Sequence, residues 1–549
     1  MRLVPLFAFA VLSSVHAGAQ DISPEFTPER VRAHVSFLAD DLLEGRKTAT
    51  RGHEIAARYV ATQFESYGLK PGGSDGWYQQ VPFQHTARSG QPGSVTISGP
   101  AGERRWAHAT DVLVGMDPNE MRLDVSAPLV FVGYGIDEPR LGFEDYRGLD
   151  VKGKVVVAFQ GFPKGVPSEE GAYVNDAKAE VAERHGAIGL IRIDTLESSK
   201  RFAWDRRLEY ANDPYFDWVT NEGKVHVDAP GIRARANLNT AAAQALFTGA
   251  PRTFEALQRE ASRPGKSPRG FALKTSVRIR SEGTASRVTS PNVVGILPGA
   301  DPTLAAEYVV LSAHLDHLGI KSLGPADKPD ADRIYNGALD NAAGVATMLE
   351  VARAAAAAPN RPRRSIIFLA TTAEEVGLLG AEYFARHPPV PIGQIVANVD
   401  LDMPLLLYPF TDVVAFGANH SSFGPLVAAA VEPMGIRLAP DPFPEEGYFT
   451  RSDHYMFVRQ GVPAVFFVTG FANGGEKAWE SFLENGYHHP DDDMLRKIDW
   501  EAGARFAEAN YRVTRALADT DVTPRWNKDD FFGDRFAPNA PRAQVSPRK

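Results

Sequence analysis

The sequence predicts an α/β fold: a three-layer sandwich around a mostly parallel mixed sheet, with a smaller β-rich α/β module inserted into it. Three observations carry this. From 293 to 519, short apolar runs alternate with stretches of helical periodicity, the pattern of strands joined by crossover helices. Several of those runs end in acids or histidine, as in Ser312-Ala313-His314-Leu315-Asp316, Ala373-Glu374-Glu375 and Asp400-Leu401-Asp402. Between about 125 and 264 the texture changes to short strands without such ends.

The elements follow in order. Arg2 precedes a short apolar stretch, and Ala17-Gly18-Ala19 supplies a small-x-small cleavage pattern, so 1–19 reads as a signal peptide and the mature chain as exported, periplasmic or secreted. No later stretch has 18 uninterrupted apolar residues, so no membrane span is expected. Val31, Val35, Leu38 and Leu42 fall at helical spacing after Thr27 and Pro28, a cap and a first-turn proline. A second helix is expected over 52–67, then strands near 79–83 and 94–98. Inside the module, strands are expected at 127–135, 153–159 and 187–193, and a helix at 175–185. The main unit then has strands at 293–297, 308–313, 365–371, 394–400, 413–417 and 464–468. Its helices fit 342–358, 377–386, 422–432 and 500–518. The resulting division is 25–120 plus 266–520 for the catalytic unit and 121–265 for the insert. A loosely ordered, Pro- and Arg-rich tail occupies 521–549.

Composition excludes several classes. The 549 residues exceed one ordinary core. Fifty-nine basic against 68 acidic residues give a net charge of −9, with no basic run, so nucleic acid is not an expected partner. The absence of cysteine removes disulfides, thiol nucleophiles and cysteine-type zinc sites. Gly72-Gly73-Ser74-Asp75-Gly76 matches a serine-hydrolase elbow but lacks the preceding buried strand and following helix. His53-Glu54 opens like a zincin helix but lacks the second histidine.

What remains is a set of hard ligands at strand ends. Amide hydrolysis needs a polarised carbonyl, a nucleophilic water and a proton for the leaving amine. Two metal ions about 3.5–4 Å apart serve the first two needs if a carboxylate bridges them. His314 and His488 offer nitrogen. Asp340, in the tight turn Asn336-Gly337-Ala338-Leu339-Asp340-Asn341, suits the bridge, and Glu375 and Asp402 complete the two shells. Three carboxylates and a hydroxide balance two divalent ions in a pocket of low dielectric. Glu374 precedes a ligand and can turn the other way, as a general base. Asp316 is placed to accept the ring N–H of His314. His317 is expected to point away. His489 and Asp400 are the alternatives to His488 and Asp402.

His314-Leu315-Asp316, Asp340-Asn341, Glu374-Glu375, Leu401-Asp402-Met403 and Tyr487-His488-His489-Pro490, in this order, resemble the M28 family of zinc aminopeptidases. The segment around Val151-Lys152-Gly153-Lys154-Val155 is similar to the protease-associated (PA) domain inserted in many members. The resemblance implies a zinc exopeptidase-like fold and two Zn2+ ions. One would be held by Asp340, Glu375 and His488, the other by Asp340, Asp402 and His314. It implies peptide substrates, cleaved at the N-terminus by a metal-bridging hydroxide with Glu374 as base. Tyr448, in a segment resembling one that lines the family's site, would stabilise the oxyanion. Two other functions fit the scaffold: a mono-zinc acyl transferase such as a glutaminyl cyclase, and a peptide-binding protein without catalysis.

Overall fold

The computed structural model describes residues 24–201, 203–322, 328 and 331–543. The expected signal peptide lies outside the described residues. Among them, no helix is long and apolar enough to cross a membrane.

Eight strands form the body of the main sheet: β1 (Tyr78–Arg88), β2 (Phe271–Leu297), β3 (Tyr308–His314), β4 (Ser365–Thr371), β5 (Ile395–Asp400), β6 (Asp412–Phe416), β7 (Arg437–Ala439) and β8 (Ala464–Thr469); the short strands Lys70–Pro71 and Tyr215–Trp218 pair with β2 and β1. Their spatial order is β1-β2-β4-β3-β5-β8-β6-β7. The four central strands, β4, β3, β5 and β8, are mutually parallel. Antiparallel pairings flank them on both sides. Every residue of β4, β5 and β8 is buried, as expected of parallel strands covered on both faces.

Chain direction places the functional edge. The helix α2 (Ala343–Ala357) carries the chain from β3 to β4, and α3 (Leu379–Arg386) carries it back across β3 to β5. With right-handed crossovers, this reversal puts the two helices on opposite faces and opens a crevice at the carboxyl ends of the strands. The alanine-rich α2 is buried on nearly every side. It packs with α1 (Pro28–Leu38) and α5 (Trp500–Asp519), whereas α3 packs with α4 (His454–Arg459). Thr27 occupies the cap position of α1, but its hydroxyl makes no capping bond; Pro28 sits in the first turn as expected.

The two sheets share β2. Its first part, Phe271 to Glu282, pairs with Arg122–Phe131, and its later part pairs with β1 and β4. The short strands Ser94–Gly99, Gly102–Ala107 and Val112–Val114 also belong to the second sheet. The sheets therefore divide near 89 and 282, outside the expected 121 and 265. The cause is that β2 runs on without a loop: its burial alternates over 272–281, passes through an exposed stretch and becomes continuous over 290–295, so one strand serves both sheets. Inside the insert, Val155–Phe159, Gly189–Ile193 and Ala234–Leu238 run parallel. The helix expected at 175–185 is two, Ser168–Asp176 and Lys178–Arg184. Gly72 to Gly76 forms a turn, with Asp75 bridged to Tyr78.

The tail is a correction. Trp526 and Phe532 are buried, and Phe531–Phe536 is helical. Proline and arginine content hid three aromatic anchors. The tail is also locked by His420, which is fully buried between Asp530 Oδ2 (2.7 Å) and Glu169 Oε2 (2.9 Å). Both ring nitrogens face carboxylates, so both donate and the ring is cationic. Burial opposes the charge, but Asp530 and Glu169 raise the pKa to about 9. A raised histidine stabilises fully below the free imidazole range near ~6.5 and loses its contribution as pH climbs through the folded value. Glu169→Gln is expected to lower stability by about 1–2 kcal/mol at pH 6. In melting curves that gap should shrink as pH rises from the free imidazole range to about 9, and a gap independent of pH would refute the assignment.

Candidate active site

The strand ends are level. His314 of β3 pairs with Thr371 of β4, and Ser312 pairs with Asp400 of β5. Side chains just past these positions therefore meet at one edge. His314 Nε2 lies 3.0 Å from Asp402 Oδ1 and 3.2 Å from Asp340 Oδ1. On the other side, His488 Nε2 lies 3.0 Å from Glu375 Oε2 and 3.6 Å from Asp340 Oδ2. The two oxygens of Asp340 thus face two separate nitrogen donors.

Local backbone makes this possible. Ala373, at φ +59, bends the chain out of β4 directly before Glu374 and Glu375, a left-handed turn that lets adjacent carboxylates diverge. Gly337, at φ +60, forms the turn into Asp340, where a Cβ would collide with the Asp340 carbonyl. Asn341 ties two ligand loops together. Its amide donates to Leu401 O (2.7 Å), and its side-chain oxygen accepts from Gly344 N (3.0 Å) and Met403 N (3.3 Å).

Asp316 acts differently from expectation. The His314 ring N–H at Nδ1 meets the backbone carbonyl of Asp316 (3.1 Å), not its carboxylate. That carboxylate instead accepts from Thr48 Oγ1 (3.0 Å) and from the backbone N–H of Glu374 (3.1 Å), holding the bend that presents the Glu-Glu pair. Either way, Nδ1 is occupied and Nε2 is left for a ligand. Tyr448 is a second correction. Its hydroxyl accepts from the Trp479 indole N–H (3.3 Å), its ring packs on Phe416, and the charges acting on it belong to Arg451, Glu446 and Asp441. Tyr487 faces the cluster instead. Burial, then the charges of Asp340, Glu375 and Glu374, raise its hydroxyl pKa, and its ring stacks on His488.

His317 is the third correction. It is buried, with Nδ1 2.5 Å from Glu375 Oε1 and 3.9 Å from Asp340 Oδ2, and its Nε2 has no partner. The chain turns after β3, so the strand alternation that would point it away no longer applies. His489 stands at the surface beside Asp491, at 3.4 Å. Asp400 is held by Ser312 Oγ (2.6 Å) and Ser452 Oγ (2.7 Å), and burial, then the Asp402 charge, raises it to about 7.

Two supports are missing from the sequence reading. The Arg46 guanidinium is buried beneath both ligand loops and donates to the carbonyls of Leu38, Leu315 (2.9 Å), Asn336 (2.5 Å) and Gly337 (3.1 Å). Burial lowers its pKa to about 10, against the pull of Asp340, Asp492, Asp316 and Glu375. Asp492, also buried, accepts from the backbone N–H of Leu339 (3.0 Å) and Asp340 (2.9 Å), which fixes the turn carrying the central carboxylate.

The electrostatics call for cations. Burial opposes a charge on His314, yet Asp402 and Glu374 raise its pKa well above the ordinary imidazole value. Glu374 is pushed well above the carboxylate range by burial, with Asp402 and Glu375 adding to it and His314 opposing. Burial acts on Glu375 too, but His317 and His488 hold it well below that range. His314, Asp340 and Asp402 form one group with ligand atoms within 4.8 Å of one another, and His317, Asp340 and Glu375 form another. Mixed histidine and carboxylate donors, gathered in a buried cluster with more acids than it can pair, fit zinc-type ions.

Residues 292–514 match the family model described as peptidase family M28. Aminopeptidase NAALADL1 of Mus musculus is 33% identical over 130 residues, 23% of this chain and 15% of the relative. A probable zinc metalloprotease of Pyricularia oryzae is 33% identical over 162 residues, 28% of this chain and 29% of the relative. The chain thus spans well under two thirds of these relatives. An aminopeptidase from Aneurinibacillus sp. strain AM-1 aligns over 91% of this chain and 96% of its own at 19% identity, with a TM-score of 0.49.

Proposed function

We propose that the chain, whose residues 292–514 match the model of peptidase family M28, is an exported two-zinc exopeptidase that removes N-terminal residues from peptides. The observation that carries this is Asp340, whose oxygens lie 3.2 Å from His314 Nε2 and 3.6 Å from His488 Nε2. A carboxylate facing two nitrogen donors from its two oxygens is what a bridge requires. Asp402 and His314 complete one side, and Glu375 and His488 the other, with His317 holding the second oxygen of Glu375. Bound there, two zinc ions would polarise the scissile carbonyl and make a water nucleophilic.

The side chains supply the rest. Glu374 takes a proton from the attacking water as the C–O bond forms, and delivers it to the amine as the C–N bond breaks. The Tyr487 hydroxyl donates to the carbonyl oxygen as that oxygen gains charge, the role first expected of Tyr448. Arg46 and Asp492 keep the ligand loops in place without touching substrate. The insert is a protease-associated type module, a reading that rests on its sequence resemblance.

Metal analysis with a peptide panel tests the proposal. About two zinc ions per chain are expected, with hydrolysis of free-amine peptides and little turnover of their N-acetylated counterparts. Equal rates on blocked and free peptides would sink the aminopeptidase claim. One ion per chain would favour the mono-zinc acyl transferase.

A further inference from the structure

A cavity of about 550 Å3 lies between the insert and the main unit, lined from the insert by Asp176, Arg192, Asp217 and Arg235 and from the main unit by Leu379 and Glu382. Its volume suits a small molecule. The charges along its wall fall into two groups. Asp228 and Glu382 are matched by cations: Asp228 by Arg459 (2.7 Å) and Arg386 (3.2 Å), Glu382 by Arg386 (3.0 Å). The others are not. Arg192 makes no side-chain hydrogen bond or ion pair among the described residues, and its Nε is buried. Among the described residues, the Arg235 side chain hydrogen-bonds only the carbonyl of Ala229 (3.1 Å), and its Nε has no partner. The Asp217 carboxylate has no hydrogen-bonding partner among the described residues, and Asp176 meets only its neighbour Asn175 (3.2 Å). Burial lowers the pKa of Arg192 and raises Asp217 to about 7. Arg192, Asp217 and Arg235 are half-buried and Asp176 is exposed; Asp176 acts on Arg192 and Arg235 on Asp217 through space, without the contact pair that partly desolvated charges favour.

We propose that this cavity binds a small zwitterion of amino-acid size, its carboxylate on Arg192 and its ammonium on Asp217. One such molecule would satisfy both signs at once, which a simple anion or cation would not. Leu113, Met116 and Trp218 line the same cavity and give an apolar side chain a surface. The identification of this ligand as a released amino acid rests on the exopeptidase reading; the binding itself does not.

Calorimetric titration of the zinc-loaded protein with L-leucine tests it, beside 3-methylbutylamine, which lacks the carboxylate, and 4-methylpentanoate, which lacks the ammonium. Leucine is expected to bind, and each half-molecule to bind on the order of 10- to 100-fold more weakly, the loss of one charge-assisted contact. Arg192→Met and Asp217→Asn are each expected to weaken leucine by a similar factor, with Arg192→Lys restoring part of it. Either variant alone carries the test if the other fails to fold. Leucine binding unchanged in both variants, no saturation at millimolar leucine, or 4-methylpentanoate as tight as leucine would overturn the proposal. Peptide hydrolysis, measured separately, reports on the exopeptidase reading alone.

Discussion

Replacing Glu374 with glutamine is expected to cut kcat by about 10²- to 10⁴-fold while leaving the zinc content unchanged. Glutamine keeps the size of the side chain and the backbone N–H that meets Asp316 Oδ1 at 3.1 Å, so the bend presenting Glu375 survives. What it removes is the carboxylate proposed to accept the proton. Glu374 has a carboxylate oxygen within 4.8 Å of donor atoms of His314 and Glu375, yet no side-chain hydrogen bond engages its carboxylate among the described residues, unlike that of Glu375. KM should change little, because the substrate carbonyl and amine meet other groups. Paired measurement of kcat and metal content decides it. A Glu374→Gln protein that loses zinc would mean that Glu374 is the ligand and Glu375 the base.

Much of this site is legible in the sequence because its residues sit where local rules hold. A parallel strand buried on both faces is a continuous apolar run, and β3, β4 and β5 each announce their end by the first acid or histidine. His314, Asp402 and Glu375 are readable for that reason. His317 is not, since alternation along a strand predicts its direction only while the strand lasts, and β3 stops at His314. Spacing assigns Asp316 to the right histidine through the wrong atom, because it does not distinguish the backbone carbonyl of a residue from its side-chain carboxylate.

The supports are illegible for another reason. Arg46 follows Asp40-Asp41-Leu42-Leu43-Glu44-Gly45, which reads as the frayed end of an amphipathic helix. The chain turns there through left-handed residues Glu44 and Gly45, and the guanidinium finds three of its four acceptors, at Leu315, Asn336 and Gly337, 269 to 291 residues away. Asp492 lies within three consecutive aspartates, a run that usually means solvent. Its burial follows from two backbone N–H groups at Leu339 and Asp340, which no local pattern reveals. The tail shows the same limit: a lone Trp526 in polar text has nothing to pack on until the fold brings Gly461 and Gly533 against it.

Asp340→Asn is expected to have the largest effect of any substitution here: loss of both zinc ions and of activity by on the order of 10³-fold or more, beyond the 10- to 100-fold typical of a residue one step from the metal. The change keeps the shape and the backbone N–H to Asp492, so the turn should form. It removes the charge that both sides share, and one of the two oxygens that face His314 and His488. Stability supplies an independent readout. In the wild type, bound metal neutralises carboxylates that otherwise repel one another, so chelation should lower the melting temperature. The Asp340→Asn variant has one buried negative charge fewer and no metal to lose. Its melting temperature should therefore be the same with and without chelator. If Asp340→Asn keeps one zinc per chain and measurable turnover, Asp340 serves a single ion, and the two-metal mechanism fails with it.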